Sequence, residues 1–132
     1  MVTYIWIIVG GAIGTAARYA ASSYIANAFG QTFPWGTILV NVTGSFIIGF
    51  FATLTGPDGR VLAPGDVRQF VMVGFCGGYT TFSSFSLQTL NLAQDGEFAR
   101  AGLNIVLSVA LCLFSVWLGH VAAMAVNAVK GS

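Results

Sequence analysis

Residues 76–85 read CGGYTTFSSF, and this stretch decides the fold because it sits inside an otherwise apolar chain and breaks its pattern. Glycine costs backbone entropy in a helix, and threonine is stiff at χ1. A run of Gly77, Gly78, Thr80 and Thr81 is therefore poor helix material. Hydroxyl groups are also not what a lipid-facing surface offers. If a membrane helix unwinds here, its carbonyls lose their helical partners. Freed carbonyls cannot face lipid; they must be buried in protein, meet water or bind an ion. Carbonyls aimed at one point make a cation site of the kind that broken transporter helices use. The carbonyls of Gly77 and Thr80 are the candidates. The plainer reading is a glycine hinge satisfied by neighbouring Ser and Thr side chains.

The surroundings make this a membrane chain. Of 132 residues, 56% are hydrophobic and only 7% charged, with a mean hydropathy of +0.82. Soluble domains carry charge on about a quarter of their residues. A net charge of +1 leaves no electrostatic basis for nucleic-acid binding. A bilayer-crossing helix needs about 20 mostly apolar residues, and four segments qualify: roughly 4–27, 34–55, 67–94 and 99–127. The first lacks the basic leader of a secretory signal and reads as a retained span. Pro34 is placed to start the second helix, and GPDGRVLAPGD separates the second from the third. The expected fold is thus an all-α integral membrane protein in one transmembrane domain. It has four transmembrane helices, the third broken near its middle. An even number of spans puts both termini on one side.

Charge gives little orientation. Arg60, Arg68 and Lys130 fall on the side of the termini, Arg100 and Arg18 on the other. The basic bias that orients membrane proteins is close to nil, so one sequence can insert both ways up and pair as an antiparallel dimer. Gly10 with Gly14, and Gly74 with Gly78, are small residues spaced for close helix approach.

Two spans carry polar stripes. Thr37, Asn41 and Ser45 recur every four residues in the second, and Asn104, Ser108 and Cys112, with Ser115 nearby, in the fourth. Residues at i and i+4 share a helix face. Such stripes either join helices by hydrogen bonds or line a pathway; beside a broken third span, the pathway reading gains weight. Phe82 and Phe85 share a face of the resumed helix, and by themselves two such rings read as lipid-facing or core packing. Ring edges carry partial positive charge, so next to Ser83 and Ser84 they can attract a small anion weakly enough to release it. No Asp, Glu or Lys falls in the interior of a predicted span, which argues against proton-coupled transport. His120, the only histidine, reads as a residue near the headgroups, and Cys76 and Cys112 as ordinary small residues.

GFCGGYTTFSSFS resembles the signature segment of the fluoride channel (Fluc, also called CrcB) family. GGAIGTAAR at 10–18 and GTILVN at 36–41 resemble its first-span and second-span signatures, and the likeness covers nearly the whole chain. The resemblance implies an antiparallel, dual-topology homodimer in a bacterial inner membrane that exports fluoride passively, without enzyme activity. It also implies a structural, untransported sodium ion at the dimer centre, held by the carbonyls of Gly77 and Thr80. Asn41, Thr37, Phe82, Phe85, Ser83, Ser84 and Ser108 are implied as the fluoride pathway, and Arg18 as the basic residue of its aqueous entrance. Gln88 stands where many members have Glu, Ser84 where Thr is usual, and Cys112 where Ser is usual. The alternatives are a small dual-topology multidrug exporter, which needs a membrane carboxylate, and a non-transporting assembly subunit.

Overall fold

A computed structural model describes residues 1–57, 59 and 61–130, with only the backbone of Lys130. Arg60, placed above on the side of the termini, lies outside the described residues. Among the described residues all regular structure is helical, with no strand. Helix α1 spans Val2–Phe29 and α2 spans Trp35–Leu54. The third crossing is assembled from pieces: α3 (Gly65–Arg68), a π-helical segment (Gln69–Cys76), α4 (Gly77–Tyr79) and, after a break, α5 (Phe82–Gln94). Helix α6 runs over Phe98–Lys130. Helices α1, α2 and α6 are each long and apolar enough to cross a bilayer, and the broken third crossing lies among them. The chain is a multi-pass membrane protein.

Pro34 precedes the first turn of α2 and accepts from the Ile38 N–H at 3.1 Å, as a residue with fixed φ does at a helix start. Gly30 (φ 83°) ends α1 in a backbone region that other residues rarely enter. The start of α1 and the end of α6 lie at one end of the bundle. There Thr3 donates to Asp66 at 3.1 Å, tying the start of α1 to the start of the third crossing. Arg68 donates to the buried Thr55 hydroxyl at the end of α2. His120 pairs with Thr53 at 2.7 Å between α6 and α2, consistent with its expected place toward the terminal end of the fourth span.

Two parallel helix pairs form the body. In one, the two glycine motifs face each other. A Cβ on Gly74 would meet the Ile7 carbonyl at 2.9 Å, and one on Gly78 the Gly11 carbonyl at 2.6 Å. Gly10 and Gly14 are as closely approached by the backbone at Phe70 and Phe75. This is close backbone contact of the sort small residues permit in lipid. In the other pair, Gly49 and Gly119 admit α6 and α2 to each other, and Ser115 donates to the Val42 carbonyl at 2.7 Å. Ser115, read as part of a polar stripe, is buried helix-to-helix packing.

The break differs from expectation in one respect. Gly77 and Gly78 are helical, and only Thr80 (φ −88°, ψ 159°) and Thr81 (φ −154°, ψ 114°) are extended. Gly78 serves close approach to α1, Gly77 lies exposed with nothing near it, and the extended pair uses β-branched residues suited to that backbone. The π-helical segment before the break was not legible in the pattern.

Candidate functional site

The break is stabilised by diverting its backbone donors. In a continuous helix the Thr81 N–H would bond to the Gly77 carbonyl; here it donates to Asn41 Oδ1 at 2.7 Å. Asn41 Nδ2 donates back to the Thr81 carbonyl at 3.1 Å, so one side-chain amide grips both polar groups of one residue. The Ser84 N–H would bond to the Thr80 carbonyl; it donates instead to Thr81 Oγ1 at 3.1 Å, making Thr81 the N-cap of α5. The Gly77 and Thr80 carbonyls consequently have no hydrogen-bond partner among the described residues. The Gly78 carbonyl is taken by Arg18, whose Nε donates at 3.0 Å. Arg18 thus reaches the broken third crossing from eleven residues before the end of α1.

Neighbours hold this arrangement rigid. The Thr80 N–H and hydroxyl both donate to the Cys76 carbonyl, at 3.0 and 2.8 Å. Tyr79 pairs with Thr43 at 2.8 Å and stacks on Phe75, centroids 5.5 Å apart. Gly44 of α2 lies directly against the Thr80 methyl and the Tyr79 ring, leaving no room for a side chain.

Two cavities meet at Thr81. The larger, about 690 Å³, opens at the end of the bundle away from the termini, where Asp95, Glu97 and Arg100 stand at its mouth. Deeper in, it is lined by Arg18, Thr37, Ser84 and Gln88, and it ends at Thr81. The Gln88 side-chain oxygen is buried with no partner among the described residues. The second, about 400 Å³, is a groove on the other side of Thr81. Asn41, Ser45, Phe82, Phe85, Ser108 and Cys112 line it, and so do Gly77 and Thr80. Phe85 is buried and Phe82 is 76% exposed, with ring centroids 5.3 Å apart. The α2 stripe therefore runs from cavity to groove: Thr37 in the first, Asn41 at the junction, Ser45 in the second.

The residues singled out in the sequence are brought together with one difference. Ser83 lies on the exposed face and lines neither cavity, its hydroxyl 3.2 Å from Thr81 Oγ1. Asn104 is 1% exposed and joins helices: its Nδ2 donates to Thr89 at 2.9 Å, while its Oδ1 accepts from Ser108 at 3.1 Å. Asn104 thereby orients the Ser108 hydroxyl. Thr81, the centre of the arrangement, was read only as poor helix material. Its signal was a Thr three residues before Ser84 at a helix restart.

A broken crossing whose Thr81 is gripped by an asparagine from the second span is a specific arrangement, and residues 5–120 match the family model for the CrcB-like protein, Camphor Resistance (CrcB). The chain belongs to the CrcB-like family. Within that family it is 63% identical over 125 residues to a protein of Rhodospirillum rubrum named fluoride-specific ion channel FluC, covering 95% of this chain and 97% of that one. A protein of the same name from Opitutus terrae is 60% identical over 132 residues, the full length of both. A third, from Methylocella silvestris, is 58% identical over 98% of each chain.

Proposed function

We propose that this chain forms a fluoride-specific ion channel, as the name of its relatives indicates, and that it lets fluoride leave a bacterial cytoplasm passively across the inner membrane. The observation that carries the reading is the junction at Thr81, where a polar cavity ending beside a guanidinium meets a groove walled by two phenyl rings and aligned hydroxyls. Fluoride is small and strongly hydrated, so a route for it must supply donors at close range as water is removed. Arg18 raises the potential for anions in the entrance, with Thr37 and Ser84 beside it. At the junction one Asn41 N–H is spent on the Thr81 carbonyl, and the second remains for an anion. Beyond it, the ring edges of Phe82 and Phe85 and the Ser108 hydroxyl offer weak, repeated attraction.

The working unit in this reading is an antiparallel homodimer. Gly77 is exposed, a Cβ added there would meet nothing within 4 Å, and Phe82 next to it is largely uncovered. Gly77 and Thr80 line the groove here, and their unpartnered carbonyls are hard oxygen donors that suit sodium. A second, inverted copy would bring a matching pair. Bound there, sodium supplies a fixed positive charge between the subunits.

Fluoride efflux from loaded liposomes tests the reading, followed with a fluoride electrode after a potassium ionophore is added to carry the counter-charge. Rapid efflux that needs no proton gradient is expected. Efflux that requires a proton gradient favours a coupled exporter, and none at all favours an assembly subunit.

A further inference from the structure

We infer that Asn41, besides facing the anion route, is the positioning residue that aims the Thr80 carbonyl at the cation site. The inference rests on the channel reading above. The orientation of the Asn41 amide is set by its partners: a backbone N–H must meet the oxygen, and a carbonyl must meet the nitrogen. Only an extended residue presents its own N–H and C=O to the same side, which is how strands exchange paired bonds. Thr81 is extended, and Asn41 acts as a one-residue strand partner for it. The Thr80–Thr81 peptide is trans and planar, so its carbonyl points opposite to its N–H. With that N–H pinned to Asn41 at 2.7 Å, the Thr80 carbonyl is turned away from the Asn41 amide.

Asn41 also protects the second carbonyl. Without its oxygen, the Thr81 N–H has a ready acceptor four residues back, the Gly77 carbonyl. Forming that bond would close the helix and consume one of the two proposed sodium donors. A residue of the anion pathway therefore competes directly with the helix for the donor that keeps the cation site open.

The test compares the wild-type dimer in detergent with Asn41→Ala and Asn41→Asp, by melting temperature in sodium chloride against potassium chloride at equal ionic strength. Wild type is expected to gain stability from sodium and not from potassium. N41D keeps an oxygen to accept the Thr81 N–H, ionised or protonated, so it retains the sodium response while fluoride efflux falls. N41A is expected to need at least tenfold more sodium for the same half-response. An N41A response with wild-type sodium dependence overturns the inference and leaves the channel reading intact. A wild-type protein indifferent to sodium overturns the cation site, and this inference with it. If N41A does not fold, N41D decides: retention of the sodium response supports the role, and its loss from a protein that melts normally without sodium refutes it.

Discussion

Replacing Gly78 with alanine tests the link between helix packing and the entrance. The added Cβ would stand 2.6 Å from the Gly11 carbonyl, 3.0 Å from the Thr15 hydroxyl and 3.2 Å from Gly11 Cα. Ordinary contact begins near 3.4 Å, so the backbones must part by 3.4 − 2.6, or about 0.8 Å. The obstructing atoms are mainly backbone and cannot rotate aside. Overpacking of this kind costs about 1–3 kcal/mol. The strain falls where it matters, because Arg18 is carried by the helix being pushed away. Its 3.0 Å bond to the Gly78 carbonyl lengthens with the gap, and the long side chain can follow only part of the movement. If the conducting arrangement bears the full cost, fluoride efflux from liposomes drops about 5- to 150-fold. The melting temperature of the purified protein should fall as well.

Gly102→Ala is the control. It lies on α6 with nothing within 4 Å of an added Cβ, so helix propensity alone acts, favouring alanine by about 1 kcal/mol. Its efflux should match wild type and its melting temperature should be equal or higher. A G78A protein with wild-type efflux and melting would mean that α1 does not approach the third crossing as closely as described. A loss in G102A equal to that in G78A would mean that any added methyl is harmful, and the packing argument would fail.

Changing both Phe82 and Phe85 to isoleucine keeps apolar bulk and removes the ring edges; fluoride efflux should drop while size-exclusion elution stays unchanged. Arg18→Gln keeps a side-chain N–H for the Gly78 carbonyl but loses the charge, so its efflux should fall most at low ionic strength and approach wild type at high salt. Thr81→Ala removes the cap on the Ser84 N–H, which should cost about 1 kcal/mol of stability, read by melting. Asn104→Leu breaks the bond to Thr89 and frees the Ser108 hydroxyl. It should cost about 0.6–2 kcal/mol in melting and slow efflux by loosening Ser108, with Thr89→Val showing a smaller effect.

Three of the crossings were legible because apolar length is a strong signal: the spans expected at 4–27, 34–55 and 99–127 are observed as Val2–Phe29, Trp35–Leu54 and Phe98–Lys130. The break was legible from its poor helix formers, but its position within them was not. Composition alone cannot tell a glycine that unwinds a helix from one that lets another backbone approach, and Gly78 proved to be the second kind. Spacing placed Thr37, Asn41 and Ser45 on one face, yet nothing local distinguishes a stripe that lines a cavity from one that joins helices. In α6 the same i, i+4 pattern does both, with Ser108 on the groove and Asn104 bonded to Thr89. The contact made by Arg18 was hidden for a similar reason. Its partner is the Gly78 carbonyl, sixty positions away, and that acceptor exists only because the third crossing is broken.

These features have a common origin in the supply of donors at the break. Interrupting a helix leaves N–H groups and carbonyls unpaired in equal measure, and both are costly at membrane depth. Here two N–H groups are satisfied by neutral oxygens, Asn41 Oδ1 and Thr81 Oγ1, while one carbonyl takes the Arg18 guanidinium. What remains is two carbonyls, those of Gly77 and Thr80, without a hydrogen-bond partner among the described residues, and one Asn41 N–H not spent on Thr81. Acceptors without donors attract a cation, and donors without acceptors attract an anion. In the channel proposed above, a single diverted peptide serves both the cation and the anion, and no membrane carboxylate is required for either. This pattern of unpaired groups depends on Thr81 staying extended, which ties it to the grip of Asn41.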